Sequence, residues 1–317
     1  MQIAPDVPVT ADNFDEARYL AANPDVAAAV KRGALPSGRV HYDHYGRHEN
    51  RMLRLDASVI ADTCRQKMKR ISPLIDLDMP HVQRGQKFDF LTPELRAAMG
   101  IADTDNVSAW EYDIHSAKLI NELENGLILD CGAGRRPTYY SNIVNYEIVD
   151  YDTTDVIGVG ERLPFKSDSF DGVLSLAVLD HVRDPFACAA ELIRVLKPGG
   201  TLLCAVPFLQ PQHGYPHHYY NMAPQGLRAL FERQAEIQDQ IVFSHPAYAL
   251  RWIGQSWADG LSGATKEAFL VMPMGKLLEQ MSDDDFRAQP WVSELPREKN
   301  FELACSTAVF VRKPEAR

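Results

Sequence analysis

The feature that most restricts this chain is Leu127-Ile-Leu-Asp-Cys-Gly-Ala-Gly134, a short apolar run closed by an acid and a glycine-rich turn. A run of this kind reads as a buried parallel strand that delivers a ligand to its carboxyl end. Gly132 and Gly134 carry no side chain, so the backbone there can approach a ligand closely and take dihedrals other residues resist. A second apolar run ends at Asp150, and a third follows as Gly172-Val-Leu-Ser-Leu-Ala177. The segments LILD, NYEIVD, DGVLSLA and TLLCAVP alternate with helical stretches such as FACAAELIRVL, which Lys197-Pro-Gly-Gly200 brings to a stop. That alternation predicts a parallel sheet covered on both faces.

The chemistry of the first turn narrows its ligand. A nicotinamide-type turn would read GxGxxG and rest a pyrophosphate on the following helix. Here the stretch is Gly132-Ala-Gly134-Arg-Arg-Pro137, so the third glycine is missing. Asp130, just before the turn, is a poor neighbour for pyrophosphate and suits a cationic ligand end. Asp150, at the next expected strand end, is placed to accept hydrogen bonds from ribose hydroxyls. A nucleoside with a cationic tail and no phosphate, S-adenosylmethionine, satisfies both acids.

The run GERLPFKSDSFDGVLSLAVLDHVRDPFACAAELIRVLKPGGTLLCAVP resembles the heart of a class I S-adenosylmethionine-dependent methyltransferase of the type 11 kind, with similarity over about residues 127–231. The resemblance implies a Rossmann-like, doubly wound α/β fold. Its sheet would be mostly parallel and seven-stranded with an antiparallel last strand, for which CSTAVFVRK near the far end is the candidate. It gives the methionine portion to Asp130, Gly132, Ala133 and Gly134, and the ribose to Asp150 with its neighbour Tyr151. The GExLPF segment lines adenine in that family, which implicates Gly160, Glu161, Arg162 and Leu163. Ala177 and Val178, leading to His181, would face the cofactor and the entering substrate. Family members often carry an Asp two places before the Glu of GExLPF, where this chain has Val159. S-adenosylhomocysteine would be the product left by the cofactor.

Three stretches are expected along the chain: a small helical module over 1–55, a helical and irregular connecting segment over 56–125, and the methyltransferase domain over 126–317. A substrate-covering insertion is expected around 208–300. In the module, Asn23 is placed to cap a helix that begins with Pro24 and Asp25, Gly33 to end it, and Ser37 to cap the next. FDEARYLAANPDVAAAVKRG followed by HYDHYGRHENR resembles a helical module of bacterial glycan-assembly enzymes. That points to a sugar hydroxyl or amine as acceptor, and to a homodimer or glycan-assembly partner docking through the module. Gln212-His-Gly-Tyr-Pro-His-His-Tyr-Tyr-Asn221 follows the last expected central strand, at the mouth of the cleft. Histidine titrates near working pH, so His217 and His218 join His181 as candidate bases. His213, His217 and His218 lack a recognised ligand spacing, and no metal is expected from them. Arg251, Trp252 and Trp257 either line the pocket or pack a core.

The net charge of −10 over 317 residues argues against a nucleic-acid backbone as partner. No apolar stretch is long enough to span a bilayer, and MQIAPDVPVTADNFDEA lacks the features of a secretory signal. Scattered Cys64, Cys131, Cys188, Cys204 and Cys305 suggest reduced, buried thiols and a cytoplasmic protein. Two rivals remain: a non-catalytic adenosyl-binding protein of glycan assembly, and an NAD-dependent oxidoreductase.

Overall fold

A computed structural model describes residues 2–102, 104, 108–282 and 285–307. Its main sheet has seven strands: β1 (Val82–Arg84), β2 (Lys87–Asp89), β3 (Ile128–Cys131), β4 (Ile143–Glu147), β5 (Val156–Ile157), β6 (Phe170–Leu176) and β7 (Leu196–Ala205). Their order across the sheet is β7-β6-β3-β4-β5-β2-β1. All neighbours pair in parallel except β1 and β2. The sheet is thus mostly parallel, as expected, and the order reverses at β3, the strand that carries the glycine turn. Its antiparallel member comes from the hairpin 82–89, ahead of β3 in the chain, within the stretch read from sequence as a connecting segment. Of the run expected to supply that strand, Cys305, Ser306 and Thr307 are not in a strand, and the remainder lies outside the described residues. Lys197-Pro-Gly-Gly200 is a bulge within β7: Phe170 faces Leu196, but Gly172 already faces Thr201.

Helices cover both faces. Helix α1 (Ala57–Ile71), capped by Asp56, buries Ile60, Cys64, Met68 and Ile71 in the larger core with Leu129, Val144 and Val173 of the sheet. The same face carries Lys67, fully buried against Asp155 at 2.7 Å. Burial pushes the Lys67 ammonium below its usual range, and Asp155 also accepts from Tyr139 and from Asn145 N (2.8 Å). This satisfied polar cluster fixes one position of α1 against the sheet. Helix α2 (Ile114–Glu122), capped by Asp113, packs Leu119 and Ile120 on the opposite face against Ile128, Ile143 and Leu174. Helix α3 (Pro185–Val195), capped by Asp184, returns Cys188, Ala189, Leu192 and Val195 to the larger core.

The first fifty-odd residues form short helices (Glu16–Ala22, Pro24–Lys31, Gly38–His44) around Tyr19, Val26, Tyr42 and Leu53. Ser37 caps as expected, donors meeting its side chain at Val40 N (3.1 Å). Asn23 stands at its cap position, but its amide donates to Tyr19 O and Met52 O. Gly33 follows the helix in the left-handed region, φ +71°. Charges tie this module to the glycine turn: Arg54 bridges Asp6 and Asp152, and Arg135 bridges the same two acids. Beyond β7, helix Pro224–Phe231 sends Leu230 and Phe231 into the larger core. A separate cluster of Leu261, Trp291 and Leu295 with Trp257 holds the last helices together. Trp257 is therefore a packing residue, its indole donating to Trp291 O at 2.7 Å. No helix among the described residues is long and apolar enough to cross a membrane.

Candidate active site

A cavity of about 400 Å³ opens at the carboxyl ends of β3 and β4, where the strand order reverses. Gly132 and Gly134 form its floor with φ of +78° and +63°. Sterics demand glycine as much as the dihedrals do. A Cβ on Gly132 would stand 2.3 Å from Val178 Cγ2, and one on Gly134 2.6 Å from Ser108 O. The turn is therefore a bare backbone cradle.

Asp130 does not reach this cavity. It is fully buried behind the turn, where Arg136 Nε donates to it at 2.8 Å and Tyr112 Oη at 2.6 Å. The guanidinium lies 4.1 Å from the Tyr112 ring centre. Burial and the neighbouring Asp130 charge hold the Tyr112 hydroxyl well above its usual pKa, so it stays a donor. The carboxylate's charge is thus balanced inside the protein. Ala133 is likewise buried, at 1% exposure, with no edge on the cavity.

The strand read from sequence as ending at Asp150 ends at Glu147. Glu147 lines the cavity, its Oε2 accepting from Gly134 N and its Oε1 from Ile148 N, both at 2.7 Å. Burial raises its carboxyl pKa against those two donors. Asp150 is exposed and pairs with Lys87 at 2.5 Å, outside the cavity; Tyr151 beside it does line the wall. Sequence reading missed Glu147 because it sits inside an apolar run. Alternation would have revealed it, since its neighbour Tyr146 points into the core.

Gly160 and Glu161 line the cavity, with Val159 between them and β5, whose carbonyl accepts from Tyr146 Oη at 2.9 Å. Arg162 is exposed outside it, and Leu163 is buried beneath, its N–H held by Glu191 at 2.8 Å. Ala177 and Val178 face the floor at the end of β6. Ala177 takes φ +53°, a left-handed conformation that costs a non-glycine residue energy and clusters at functional sites.

The segment after β7 folds back over the opening, pinned where Tyr219 N and Tyr220 N donate to Asp180 O at 2.7 and 3.1 Å. It brings His213, Tyr215 and His217 to the wall beside His181. The His181 Nδ1 proton goes to His217 O at 2.7 Å and that of His213 to Pro211 O at 3.0 Å, because a carbonyl can only accept. Both rings therefore turn Nε2 toward the Asp180 carboxylate, at 3.2 and 3.8 Å. His218 stands behind the wall, accepting from His213 N at 2.9 Å and facing Asn221 at 3.0 Å. Arg251, Trp252 and Trp257 do not line the cavity. Cys64, Cys131 and Cys188 are buried free thiols, whereas Cys305 is exposed, unlike the burial expected of it.

Residues 130–204 match the model of a methyltransferase domain family. The chain is 37% identical over 86 residues to a demethylmenaquinone methyltransferase of Corynebacterium glutamicum, covering 26% of this chain and 37% of that protein. An uncharacterized methyltransferase of Mycolicibacterium paratuberculosis is 38% identical over 125 residues, 37% of this chain and 45% of that one. The chain thus spans less than half the length of these relatives. A solved structure from Thermotoga maritima, described as a SAM-dependent methyltransferase and possible histamine N-methyltransferase, is 21% identical with a TM-score of 0.30. It covers 38% of this chain and 70% of its own. The family match starts at the acid of the first turn and ends in β7. The histidine segment lies beyond it.

Proposed function

We propose that this protein is an S-adenosylmethionine-dependent methyltransferase acting on a small polar acceptor, with a sugar hydroxyl or amine as the first choice. The observation that carries the reading is the glycine cradle joined to a strand-end acid, Gly134 N to Glu147 at 2.7 Å, inside the segment that matches the methyltransferase family. The cradle fits the cofactor's methionine end, since it presents side-chain-free backbone at the cavity floor. Glu147 keeps lone pairs free beyond the two N–H groups it already meets, and these suit the paired hydroxyls of ribose. Val159 and Gly160 leave an apolar slot for adenine, which would be read by backbone groups in place of a side-chain acid. When bound, the cofactor supplies an electrophilic methyl carbon and leaves as a neutral thioether. The protein's share is to hold the acceptor in line and keep water out, which can supply about 7–11 kcal/mol of the barrier. A hydroxyl acceptor must also lose its proton, and His181 and His217 border the space it would enter.

The roles assigned from sequence to Asp130 and Asp150 pass, in this reading, to Glu147. Asp130 becomes a positioning residue that stiffens the turn from behind. His218 supports His213 from outside the cavity. The N-terminal module, braced to Arg135 beside the glycine turn, is proposed as the docking surface for a second copy or a glycan-assembly partner. Buried thiols without disulfides suit a reducing cytoplasm.

Calorimetry with S-adenosylhomocysteine tests the cofactor site. Binding by the native chain, weakened in Glu147→Ala and kept in Asp150→Ala, is the expected pattern. Absence of binding at millimolar ligand would sink the proposal. Transfer of a labelled methyl group to sugar and amine acceptors then identifies the substrate.

A further inference from the structure

The wall formed by Asp180, His181 and His213 has more order than a proton relay requires. One ligand atom from each of the three lies within 4.8 Å of the others. The Asp180 side chain is completely buried, and neither of its oxygens has a hydrogen-bond partner. Although His181 Nε2 is only 3.2 Å from Oδ2, no hydrogen bond joins them. A buried carboxylate without partners is costly. Backbone carbonyls hold the Nδ1 protons of the two imidazoles beside it and so fix both rings with Nε2 facing the carboxylate.

We infer that Asp180, His181 and His213 bind a divalent transition-metal cation of the zinc type at the acceptor end of the cavity. Two imidazole Nε2 atoms and a buried carboxylate converge within 4.8 Å, and no hydrogen bond reaches the carboxylate, an arrangement a bound cation satisfies. Tetrahedral ligands about 2.0–2.1 Å from zinc stand about 3.3 Å apart. The observed 3.2 and 3.8 Å already approximate those edges. Carbonyls on both Nδ1 atoms are the outer contacts that fix the tautomer of metal-bound histidine. Two imidazoles favour a transition cation over magnesium or calcium. Further packing pins the rings: a Cβ on Gly214 would stand 2.1 Å from His181 Cε1, and the His218 ring meets His213 edge-on at 4.4 Å. Asp180 approaches from the protein side, while both histidines line the cavity. The open coordination position therefore faces the acceptor. Resting on the methyltransferase reading, this cation would hold an acceptor oxygen and lower its pKa, so that the proton leaves to solvent before the new bond forms.

The full chain, stripped with a chelator and dialysed, is titrated with Zn²⁺ alone and with Co²⁺ alone. Bound metal is measured by elemental analysis after gel filtration, and Co²⁺ by its visible spectrum. One equivalent of metal is expected, with a spectrum of low coordination number. His213→Ala, which alters a partly exposed ring, should lower Zn²⁺ affinity by at least about tenfold. Asp180→Asn should do the same, and circular dichroism reports whether it folds. If it does not, His181→Ala replaces it. His213→Cys, which restores a ligand, should recover Zn²⁺ binding. Zn²⁺ retained equally by the native chain and His213→Ala, or no Zn²⁺ bound at all, overturns the inference. S-adenosylhomocysteine binding is measured in the same samples. Its presence without metal overturns the cation site alone, and its absence with metal overturns the methyltransferase reading alone.

Discussion

Asp130 and Asp180 stand at the carboxyl ends of neighbouring strands, both are completely buried, and they have opposite surroundings. Asp130 lies within β3 and is met by the Arg136 guanidinium and the Tyr112 hydroxyl. Asp180 follows β6 and faces two imidazole nitrogens at 3.2 and 3.8 Å, with no hydrogen bond to either of its oxygens. A buried charge persists only when something compensates it, so the partner set reveals the purpose. The first acid is compensated by the chain and belongs to the scaffold. The second receives no hydrogen bond from the described residues and points to a ligand. The acid that looked most like a ligand group in the sequence is the structural one.

The sharpest way to break this contrast is to remove both acids in turn. Asp130→Ala leaves the Arg136 guanidinium buried without its counter-charge, which should cost about 3–5 kcal/mol in urea unfolding. Asp180→Asn in chelated protein removes a buried carboxylate without hydrogen bonds instead, and should stabilise by about 1–3 kcal/mol. Equal destabilisation by the two substitutions would erase the distinction.

A smaller effect separates Asp130 from Glu147. Glu147→Gln keeps the shape but loses charge-assisted bonds of about 1.5–3 kcal/mol, so S-adenosylhomocysteine should bind roughly tenfold to a hundredfold more weakly. Its pH dependence has a definite sign. Burial holds the Glu147 carboxyl above the usual range, so the fold favours the protonated form. The stability it contributes is complete below the ordinary glutamate value of about 4.3, and is lost as pH rises through the raised one. Ligand affinity runs the other way, because the carboxylate accepts the ribose hydroxyls best. Affinity should therefore decline on acidification at a higher pH than an exposed glutamate would give. Glu147→Gln should flatten that decline, as calorimetry across a pH series would register.

The unequal readability of the site follows from the same physics. The glycine turn and the strand–helix alternation are local, and local spacing announced them, while the β6 turn at Ala177 came with the family resemblance. Asp150 was mistaken for the strand end because Ile148 and Val149 carry the apolar character of the run up to it, so nothing there marks where pairing with β3 and β5 stops. Tyr146 and Glu147 differ only in which face they take, and that depends on the sheet. Partners far along the chain were harder still. Arg136 was visible only as one of two arginines in a turn that ends at Pro137 where a glycine was sought, and nothing near Asp180 foretold His213, which a loop thirty-odd residues later carries to it. The edge hairpin at 82–89 was hidden by its short strands and by the glycine and proline residues around it.

The mildest test concerns the acid that sequence placed on the ribose. Asp150 is 42% exposed at its side chain and meets Lys87 at 2.5 Å, while that ammonium also donates to Tyr151 O at 2.6 Å. In Asp150→Ala the lysine keeps its carbonyl partner and gains access to water, so no buried charge is left behind. An exposed pair of this kind contributes about 0–1 kcal/mol. Unfolding by urea should shift within that range, and S-adenosylhomocysteine affinity should change by less than about threefold, a small effect transmitted through Tyr151 at the cavity wall. A loss as large as that in Glu147→Gln would return the ribose to Asp150, and would require the end of β4 to rearrange when the ligand binds.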